Sequence, residues 1–411
     1  MKNAGLVMAW RNLWRRGRRT WLTVGAMVFS NILLVFSMSL QFGSYDMMID
    51  NSLQAYTGHL QLQHPRYLDE PRMRYALADV AGNARLLRER LGLDSISARA
   101  TGFALASSKE RSFGLQIVGV DAAHEPLVST LPGLVRQGRY LQPGASEEIV
   151  IGSVLARNLK VGPGDELTFL GSGYDDSFAA GVVHVAGIFE SGITEIDRGM
   201  AQVNLEYFQQ VFAMDGRGHS IVIRAPNIEQ VDTLAARIAA LGIVDNDKVV
   251  LRTWEELQPG LRQAIQADMT SAWFMYMVLI VLVAFSVLNT QLMSVLERTR
   301  EFGTMMALGL KPARLARLVM QETALMTGLG LGIGIAGGFL LTWYLSHAGF
   351  SYPGMAEMAE RFYLPDRMYP ALSPLSLTLG PAVVAIGSLL ASIYPATRLY
   401  RLSPVAAMRA V

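Results

Sequence analysis

The sequence predicts a membrane α-helical protein with four transmembrane helices and a large α+β extracytoplasmic domain inserted between helices 1 and 2. Two observations lead to this fold class. Four stretches of more than 20 residues carry no charged side chain, and each is long enough to cross the hydrocarbon core of a bilayer as a helix. The long segment between the first two stretches instead mixes alternating and amphipathic patterns, which are typical of a folded soluble domain.

The composition supports both a membrane part and a soluble part. The chain has 411 residues, of which 51% are hydrophobic, and its mean hydropathy is +0.28. These values are too apolar for an ordinary soluble enzyme and too mixed for a protein that lies wholly in the bilayer. The absence of cysteine excludes disulfides, thiolate catalysis and Cys-based metal sites.

The uncharged stretches and the sequences between them divide the chain into nine predicted segments. They are a cytoplasmic interfacial helix (1–20), TM1 (21–43), the extracytoplasmic α+β domain (44–269), TM2 (270–296), a cytoplasmic coupling loop or helix (297–322), TM3 (323–346), a short extracytoplasmic loop (347–372), TM4 (373–396) and a cytoplasmic tail (397–411).

The first segment combines tryptophans with arginines. Leu6, Trp10, Leu13 and Trp14 recur at helical spacing, which is typical of a helix that lies along the membrane interface. The alternative is a plain helical extension of TM1. The apolar run that follows is longer than the core of a signal peptide and no A-x-A-like site follows it, so we predict an uncleaved span.

Lysine and arginine predict the orientation. Six basic residues precede TM1, five lie between TM2 and TM3, and three follow TM4, whereas the loop 347–372 has only Arg361 and Arg367. The positive-inside rule therefore places both termini in the cytoplasm. The large domain then lies outside and carries 20 basic and 28 acidic residues, a net charge of about −8. Such an acidic domain repels nucleic acid, so no nucleic-acid partner is predicted.

The domain shows strand and helix patterns in alternation. We predict strands at 58–63, 115–120, 148–151, 167–170, 182–189 and 220–224, and helices at 80–93, 152–159 and 227–241, the last with Asn227 as its N-cap.

Motifs of catalysis and nucleotide binding are missing from the sequence. The six histidines show no i+3 or i+4 pair, and H-E-x-x-H, G-x-S-x-G and the P-loop pattern are all absent. We therefore assign no catalytic residue, no metal ligand and no cofactor to this chain.

A glycine-rich run inside TM3 follows another pattern. Its members stand four residues apart in overlapping pairs, the small-xxx-small spacing that lets helices approach closely. The contact could lie within the chain or across a dimer. The predicted helix-packing residues are Gly328, Gly330, Gly332, Gly334 and Gly338.

The stretch between TM2 and TM3 predicts a short helix with an abrupt end. Gly309 suits a helix C-cap, and Pro312 suits the first turn of a second helix. Met305, Met306 and Leu308 are expected to form an apolar surface, and methionine suits a surface that adapts to a partner. The predicted docking residues are Glu297, Arg300, Glu301, Phe302, Gly303, Met305, Met306, Ala307, Leu308 and Gly309.

Several motifs in the chain resemble a known permease family. ERTREFGTMMALG (297–309), with Glu322 and the glycine-rich span after it, is similar to the pattern E-R-x-R-E-I-G-x-x-x-A-x-G of the MacB/FtsX/LolC-LolE family of ABC permeases, with Phe302 at the usual Ile. YPATR (394–398) and LSPVAAMR (402–409) resemble the family's usual ending. Gly138–Tyr140, 148–152, 161–165 and 187–189 resemble its extracytoplasmic core domain.

The resemblance implies a permease subunit of a mechanotransmitting ABC transporter in the bacterial inner membrane. ATP and Mg would bind a separate ABC ATPase subunit that docks on the coupling loop. That subunit would contain the P-loop that this chain lacks. A second permease subunit would complete a homodimer or heterodimer in contact with membrane lipid. The large domain would be periplasmic, meet a periplasmic partner, and move or release a lipoprotein, lipid or other amphipathic substrate.

The resemblance leaves the branch of the family open. TGHLQLQ (57–63) leans toward LolE-like subunits, whereas the loop 171–181 lacks the longer proline-bearing hook of LolC-type subunits, which puts chaperone recruitment in doubt. The alternatives are MacB-like efflux of a drug or peptide, and an FtsX-like regulator of an extracytoplasmic enzyme. The size of the external domain favours transport.

Overall fold

A computed structural model describes residues 2–15, 17–109, 111–144, 147–245, 247–351, 353–355, 367–402 and 407, with residues 2–6 and 19 as backbone alone. These residues form two compact units. The first, here the membrane unit, comprises residues 1–45, 264–352 and 367–411. The second, here the inserted domain, comprises residues 46–263 and 353–366.

The helices range in length from 4 to 39 residues. They are α1 Lys2–Arg15, α2 Gly17–Ser52, α3 Val80–Leu91, α4 Glu125–Val128, α5 Ser153–Leu159, α6 Thr194–Gly199, α7 Leu205–Val211, α8 Val231–Ala240, α9 Trp254–Leu257, α10 Pro259–Glu297, α11 Thr299–Ala307, α12 Pro312–Ala348 and α13 Pro374–Arg398. A π-helical turn spans Leu53–Thr57, and 3₁₀ turns span Leu131–Leu134, Ile228–Gln230 and Leu399–Arg401.

Four of these helices, α2, α10, α12 and α13, are long and apolar enough to cross a membrane. An α/β domain lies between the first and the second of them in the chain, so the predicted fold class is confirmed. Three of them, α2, α10 and α12, extend at both ends beyond the charge-free stretches that predicted them. The extensions contain charged residues, such as Asp46, Arg262 and Arg314, so the absence of charge marks only the middle of these helices.

The membrane unit is held together by close contact between α2 and α12. A Cβ atom placed on Gly330, Gly334 or Gly338 would lie within 3 Å of a side-chain atom of α2, the nearest being the Cβ of Asn31 at 2.6 Å from Gly334. Gly328 and Gly332 have no such neighbour within 4 Å. Three of the five predicted packing glycines therefore face α2 within the same chain, where only a residue without a side chain fits.

The N-terminal helix α1 packs back onto α12. Leu13 is buried with Val24 of α2 and Met326 of α12, and the hydroxyl of Thr20 donates to the Leu13 carbonyl at 2.7 Å. Trp10, Trp14 and Trp21 are all about half exposed, and their rings meet edge to face. The position of residues 1–20 along the membrane interface stays a prediction.

The inserted domain is built on one sheet whose middle closes on itself. The strands are β1 Leu60–Gln63, β2 Ile96–Ser108, β3 Arg111–Val120, β4 Val135–Gly138, β5 Glu148–Gly152, β6 Glu166–Ser172, β7 Phe178–Phe189, β8 Met200–Asn204, β9 Ser220–Ile223 and β10 Val250–Thr253. Six of them pair in a ring in the order β2, β3, β8, β5, β7, β6 and back to β2. The strands β9, β1 and β10 continue from β2 outside this ring.

The predicted strands and helices of this domain are present with shifted ends, apart from one capping detail. Asn227 makes no side-chain capping bond, and α8 begins at Val231 after a 3₁₀ turn. The sequence did not predict β2, although it pairs with three other strands. The first seven residues of β2 are buried on both faces, so they lack the alternation that marks a half-buried strand.

A buried ion pair holds the π-helical turn that ends the first membrane helix. Arg99 donates to both carboxylate oxygens of Glu125, at 2.6 and 3.1 Å, and also to the carbonyl of Tyr56. The Ser129 hydroxyl and the Thr130 amide donate to the two preceding carbonyls, each at 2.8 Å. These donors satisfy carbonyls that the end of a helix leaves without partners.

The two ends of the long insertion between α2 and α10 meet at one glutamine. The Gln258 side chain accepts from the Ser52 hydroxyl at 2.8 Å and donates to the Thr57 hydroxyl at 2.7 Å. Ser52 ends α2, and Gln258 immediately precedes α10. The first and last residues of the insertion therefore lie next to each other.

We expect valine at Gly334 and at Gly332 to have very different effects. Gly334→Val forces α2 away from α12 and should cost about 1–3 kcal/mol, as overpacked cores do. Gly332→Val has open space and is the matched control, since both changes have the same helix propensity. Thermal unfolding of the two variants in detergent measures the difference. Equal melting temperatures would show that the α2–α12 contact does not depend on glycine.

Candidate coupling site

The second and third membrane helices are joined by the short helix α11, bounded by two defined breaks. The first break is at Arg298, whose backbone (φ −102°, ψ 11°) leaves helical geometry between α10 and α11. The second is at Gly309, whose φ of +93° strongly favours glycine. The amides of Gly309 and Leu310 donate to the carbonyls of Met306 and Met305, at 3.0 and 3.1 Å, and close the helix end.

Pro312 then begins α12 within its first turn, where its missing N–H leaves no helical bond unmade. The predicted short helix, glycine stop and proline start are therefore confirmed.

One face of α11 is buried against the following helices. Phe302 is fully buried and Met306 is 9% exposed, and both pack with Leu315 and Val319 of α12. Ala396 and Leu399, at the end of α13, complete the same cluster. Gly303 also lies on the buried face. The apolar side of the helix is thus used inside this chain.

The opposite face of α11 is exposed and mixed in character. Leu308 is the large apolar side chain on it and is 78% exposed. The exposed positions recur at the spacing of one helix face. They are Arg300, Glu301, Thr304, Ala307 and Leu308, with Glu297 and Gly309 at the two ends.

This arrangement corrects the predicted apolar surface. Met306 belongs to the buried cluster and Met305 is only partly exposed, so neither methionine lies on the open face as expected. Both side chains turn toward α12 and α13 because those helices offer apolar partners that the local sequence does not reveal. Leu308 remains the exposed apolar residue at the helix end.

An ion pair fixes the helix break to α12. Arg298 Nη1 donates to both carboxylate oxygens of Glu322, at 2.9 and 3.0 Å, and its Nε donates to Glu301 at 3.3 Å. The side chains of Arg298 and Glu322 are both more than nine-tenths buried. The guanidinium carbon also lies 4.9 Å from the centre of the Phe302 ring, in cation–π geometry.

The same carboxylate binds α1 as well. Asn12 Nδ2 donates to Glu322 Oε1 at 2.7 Å, so α1, the α10–α11 break and α12 meet at one side chain. Charge-assisted bonds of this kind are stronger than neutral ones, and a buried carboxylate requires them.

Arg298, Asn12 and Thr304 were not among the predicted site residues. The positions of Arg298 and Glu322 in the sequence could have suggested that they pair. Arg298 follows one uncharged run and Glu322 precedes the next, and charged residues near the membrane boundary often pair with one another.

The described residues hold no group of three His, Cys, Asp or Glu side chains placed to bind a metal ion. His219 illustrates the role of a buried histidine in the inserted domain. Its Nδ1 accepts from the Thr101 amide at 2.9 Å, so Nε2 carries the proton and donates to the Met73 carbonyl at 3.1 Å. Burial lowers the pKa of His219 to about 4, so this ring is neutral and joins three segments of the domain.

The remaining motif positions are only partly visible. Of the C-terminal motif, residues 403–406 and 408–410 lie outside the described residues, as do residues 356–366 of the predicted extracytoplasmic loop. The loop 171–181 is a tight hairpin in which β6 and β7 pair up to Ser172 and Phe178, and the Gly173 amide donates to the Ser177 carbonyl at 2.8 Å.

Two family models match consecutive parts of the chain. The MacB-like periplasmic core domain matches residues 20–241, and the FtsX-like permease C-terminal domain matches residues 273–404. Together they cover both the inserted domain and the coupling site.

Curated relatives match along most of their length. The lipoprotein-releasing system transmembrane protein LolC of Xylella fastidiosa is 27% identical over 317 residues, which cover 73% of this chain and 74% of the relative. LolC of Neisseria meningitidis is 21% identical over 79% of this chain and 80% of the relative. LolE of Haemophilus influenzae is 23% identical over 71% of each chain. These identities do not favour the LolE-like side of the family over the LolC-like side.

We expect the Arg298–Glu322 pair to stabilise the corner strongly. Arg298→Leu or Glu322→Leu alone leaves the partner's charge buried and should cost about 3–5 kcal/mol. The double variant removes both charges and should recover part of that loss. A double-mutant cycle on thermal unfolding in detergent checks the coupling. Additive losses in the double variant would contradict a direct interaction.

Proposed function

Since the chain belongs to the MacB/FtsX/LolC-LolE family of ABC permeases, we propose that it is a mechanotransmitting subunit that couples ATP hydrolysis in a partner to the release of lipoproteins. The chain is a multi-pass membrane permease with a MacB-like periplasmic core domain.

The exposed face of α11 carries this proposal. A helix that offers Leu308 among Arg300, Glu301 and Thr304 presents an apolar anchor within a polar rim, the usual anatomy of a protein contact. The opposite face is packed on α12 and α13, and Arg298 binds Glu322. A load applied to α11 is therefore passed to the membrane helices instead of being absorbed by a flexible loop.

An ABC ATPase subunit is the partner we assign to this face. The sequence contains no P-loop, so ATP and Mg bind the partner and not this chain. The basic residues near the helix ends favour a cytoplasmic location for α11 and both termini, on the side where ATP is available. A second permease subunit, identical or related, provides the other half of the transporter.

The long helix α10 supports transmission from this site toward the inserted domain. It runs without interruption for 39 residues from Pro259 to the break at Arg298. Its first residue directly follows Gln258, which binds the end of α2 through Ser52. A displacement at α11 that is passed across the Arg298 break would therefore reach the two ends of the long insertion through the continuous helix α10.

Lipoprotein is the substrate we favour because the relatives are lipoprotein-releasing proteins by name and align over most of their length. The tight hairpin between β6 and β7 offers no long projecting hook, so a periplasmic partner that accepts the substrate would need another surface of the inserted domain. The proposed location is the inner membrane of a bacterium.

A charge at Leu308 should abolish ATPase binding while leaving the fold intact. We expect Leu308→Glu to insert and melt like the wild type but to lose most copurifying ATPase, because a hydrophobic anchor becomes a charged one. Leu127→Glu, at an exposed leucine of the inserted domain, is the matched control and should retain the ATPase. Met306→Glu should instead lower the melting temperature, since it buries a charge. ATPase retained at the wild-type ratio by Leu308→Glu would refute docking on this face.

Release of a triacylated lipoprotein tests the substrate directly. The copurified transporter in proteoliposomes should release the lipoprotein to a soluble acceptor only with ATP. Proteoliposomes that receive the Leu308→Glu permease and separately purified ATPase should fail to release it. A complex that hydrolyses ATP without releasing lipoprotein, yet activates a periplasmic hydrolase, would establish the FtsX-like regulator instead. ATP-driven efflux of a drug or peptide would establish the MacB-like alternative.

A further inference from the structure

The hairpin formed by β2 and β3 has one open side in the inserted domain. The two strands pair as far as Ser108 and Arg111 at the hairpin tip. On its other side β3 pairs with β8 only from Gln116 onward. Among the described residues, no backbone hydrogen bond reaches residues 111–115 from outside β2. This segment, here the β3 edge, is therefore a strand edge without a neighbour.

The alternation of an antiparallel pair shows which backbone groups face outward from the β3 edge. The amide of Asp121 donates to the carbonyl of Ala98, and the register continues from there to the hairpin tip without a shift. Odd-numbered residues of β3 therefore bond to β2, whereas even-numbered residues point their N–H and C=O groups the other way. Ser112 and Gly114 thus present backbone donors and acceptors on the open side, where both residues are exposed.

The β3 edge lacks the usual protection against pairing with another chain. Natural edge strands often carry a charged residue or a proline. Arg252 and Arg136 lie within β10 and β4, the two strands at the ends of the sheet. Residues 112–116 (SFGLQ) include neither a charged residue nor a proline. Their backbone is therefore open to strand addition.

Gly114 leaves room for a large side chain on an incoming strand. It lies opposite Leu105, and a Cβ added to it would have no neighbour within 4 Å. Leu105 and Phe103, on the same face, are 46% and 64% exposed. Glycine inside a strand often marks a place where another backbone comes close, and an aromatic residue on the neighbouring strand compensates for its missing side chain.

An apolar groove of about 480 Å³ lies beside the β3 edge, between β3 and α6. Phe103, Leu115, Ile196 and Met200 are among its lining residues, and Glu195 is the charged residue of its described wall. The groove therefore suits uncharged, largely apolar side chains.

The size of the β3 edge favours one extended segment over a second folded copy. Five residues of strand span about 17 Å, since each residue rises about 3.4 Å. One extended segment of similar length pairs with all of it. A stable contact between two folded copies would need roughly 800 Å² from each partner, which a single strand edge does not supply.

We propose that the β3 edge binds an extended segment of the lipoprotein polypeptide, which adds to the sheet as one more strand. This inference rests on the proposed function, in which the cargo is a polypeptide that carries lipid. The segment bonds to the backbone of Ser112 and Gly114, and a large apolar side chain lies opposite Gly114. Because main-chain bonds supply the affinity, the site accepts different sequences that share this pattern.

Titration of a fluorescein-labelled peptide, Thr-Val-Thr-Phe-Thr-Val-Thr, into the full-length chain in detergent tests strand addition. Gly114→Pro removes the outward N–H without removing a bond to β2, so it should weaken binding at least about tenfold. Gly114→Ala keeps the N–H and enters open space, and as the matched control it should bind the peptide like the wild type. Thermal melts of both variants show whether a loss of binding reflects unfolding.

Two methylated forms of the same peptide test the hydrogen bonds on the wild-type chain. In an added strand, alternate amides face the neighbouring strand. Methylation of one alternate set of amides should abolish binding, and methylation of the other set should be tolerated. Equal binding of the two methylated peptides, or wild-type binding by a folded Gly114→Pro variant, would overturn strand addition.

Cross-linking tests whether the bound segment belongs to lipoprotein. Because the chain has no cysteine, purified Gly114→Cys can be labelled with benzophenone maleimide at a single position. In the reconstituted transporter it should cross-link to the polypeptide of a triacylated lipoprotein. Leu127→Cys, at an exposed residue that does not line the groove, should not. Lipoprotein release without a cross-link at Gly114 would contradict this inference alone, whereas a wild-type transporter that releases no lipoprotein would contradict the proposed function itself.

Discussion

The ion pair between Arg298 and Glu322 is the interaction on which the coupling site depends. Where α10 ends, α11 must be kept at a defined angle, although the backbone at Arg298 leaves helical geometry. Arg298 is the residue of the break, and its guanidinium reaches across to α12 while lying over Phe302. The bend is therefore specified by side-chain chemistry, and α1 is held to the same carboxylate through Asn12.

Two kinds of contact fix the positions of the long helices. Gly334 and its neighbours pack on α2 through van der Waals contacts. These contacts are non-directional and resist compression of the helices. The bonds at Glu322, and those at Glu125 in the inserted domain, are directional and charged, so they resist rotation and sliding. The turn that follows α2 and the end of α10 are thus each held by a buried carboxylate in contact with an arginine.

Local chemistry allowed the sequence to predict much of this structure, and long-range packing explains what it missed. Gly309 and Pro312 act through their own backbones, so the turn between α11 and α12 could be predicted from the residues alone. The side of α11 that faces outward depends on Leu315, Val319 and Leu399, which are distant in sequence, and so Met306 was placed on the wrong face. The pairing of Arg298 with Glu322 and the doubly buried strand β2 were missed for the same reason.

The bonds of Gln258 to Ser52 and Thr57 bear on the origin of this architecture. The long insertion begins and ends at residues that are in hydrogen-bond contact with each other. It therefore occupies the position of a single loop between two helices. Insertions with neighbouring ends disturb a host fold least. A four-helix ancestor could therefore gain, lose or exchange its entire periplasmic module in one recombination step without changing the contacts between its membrane helices.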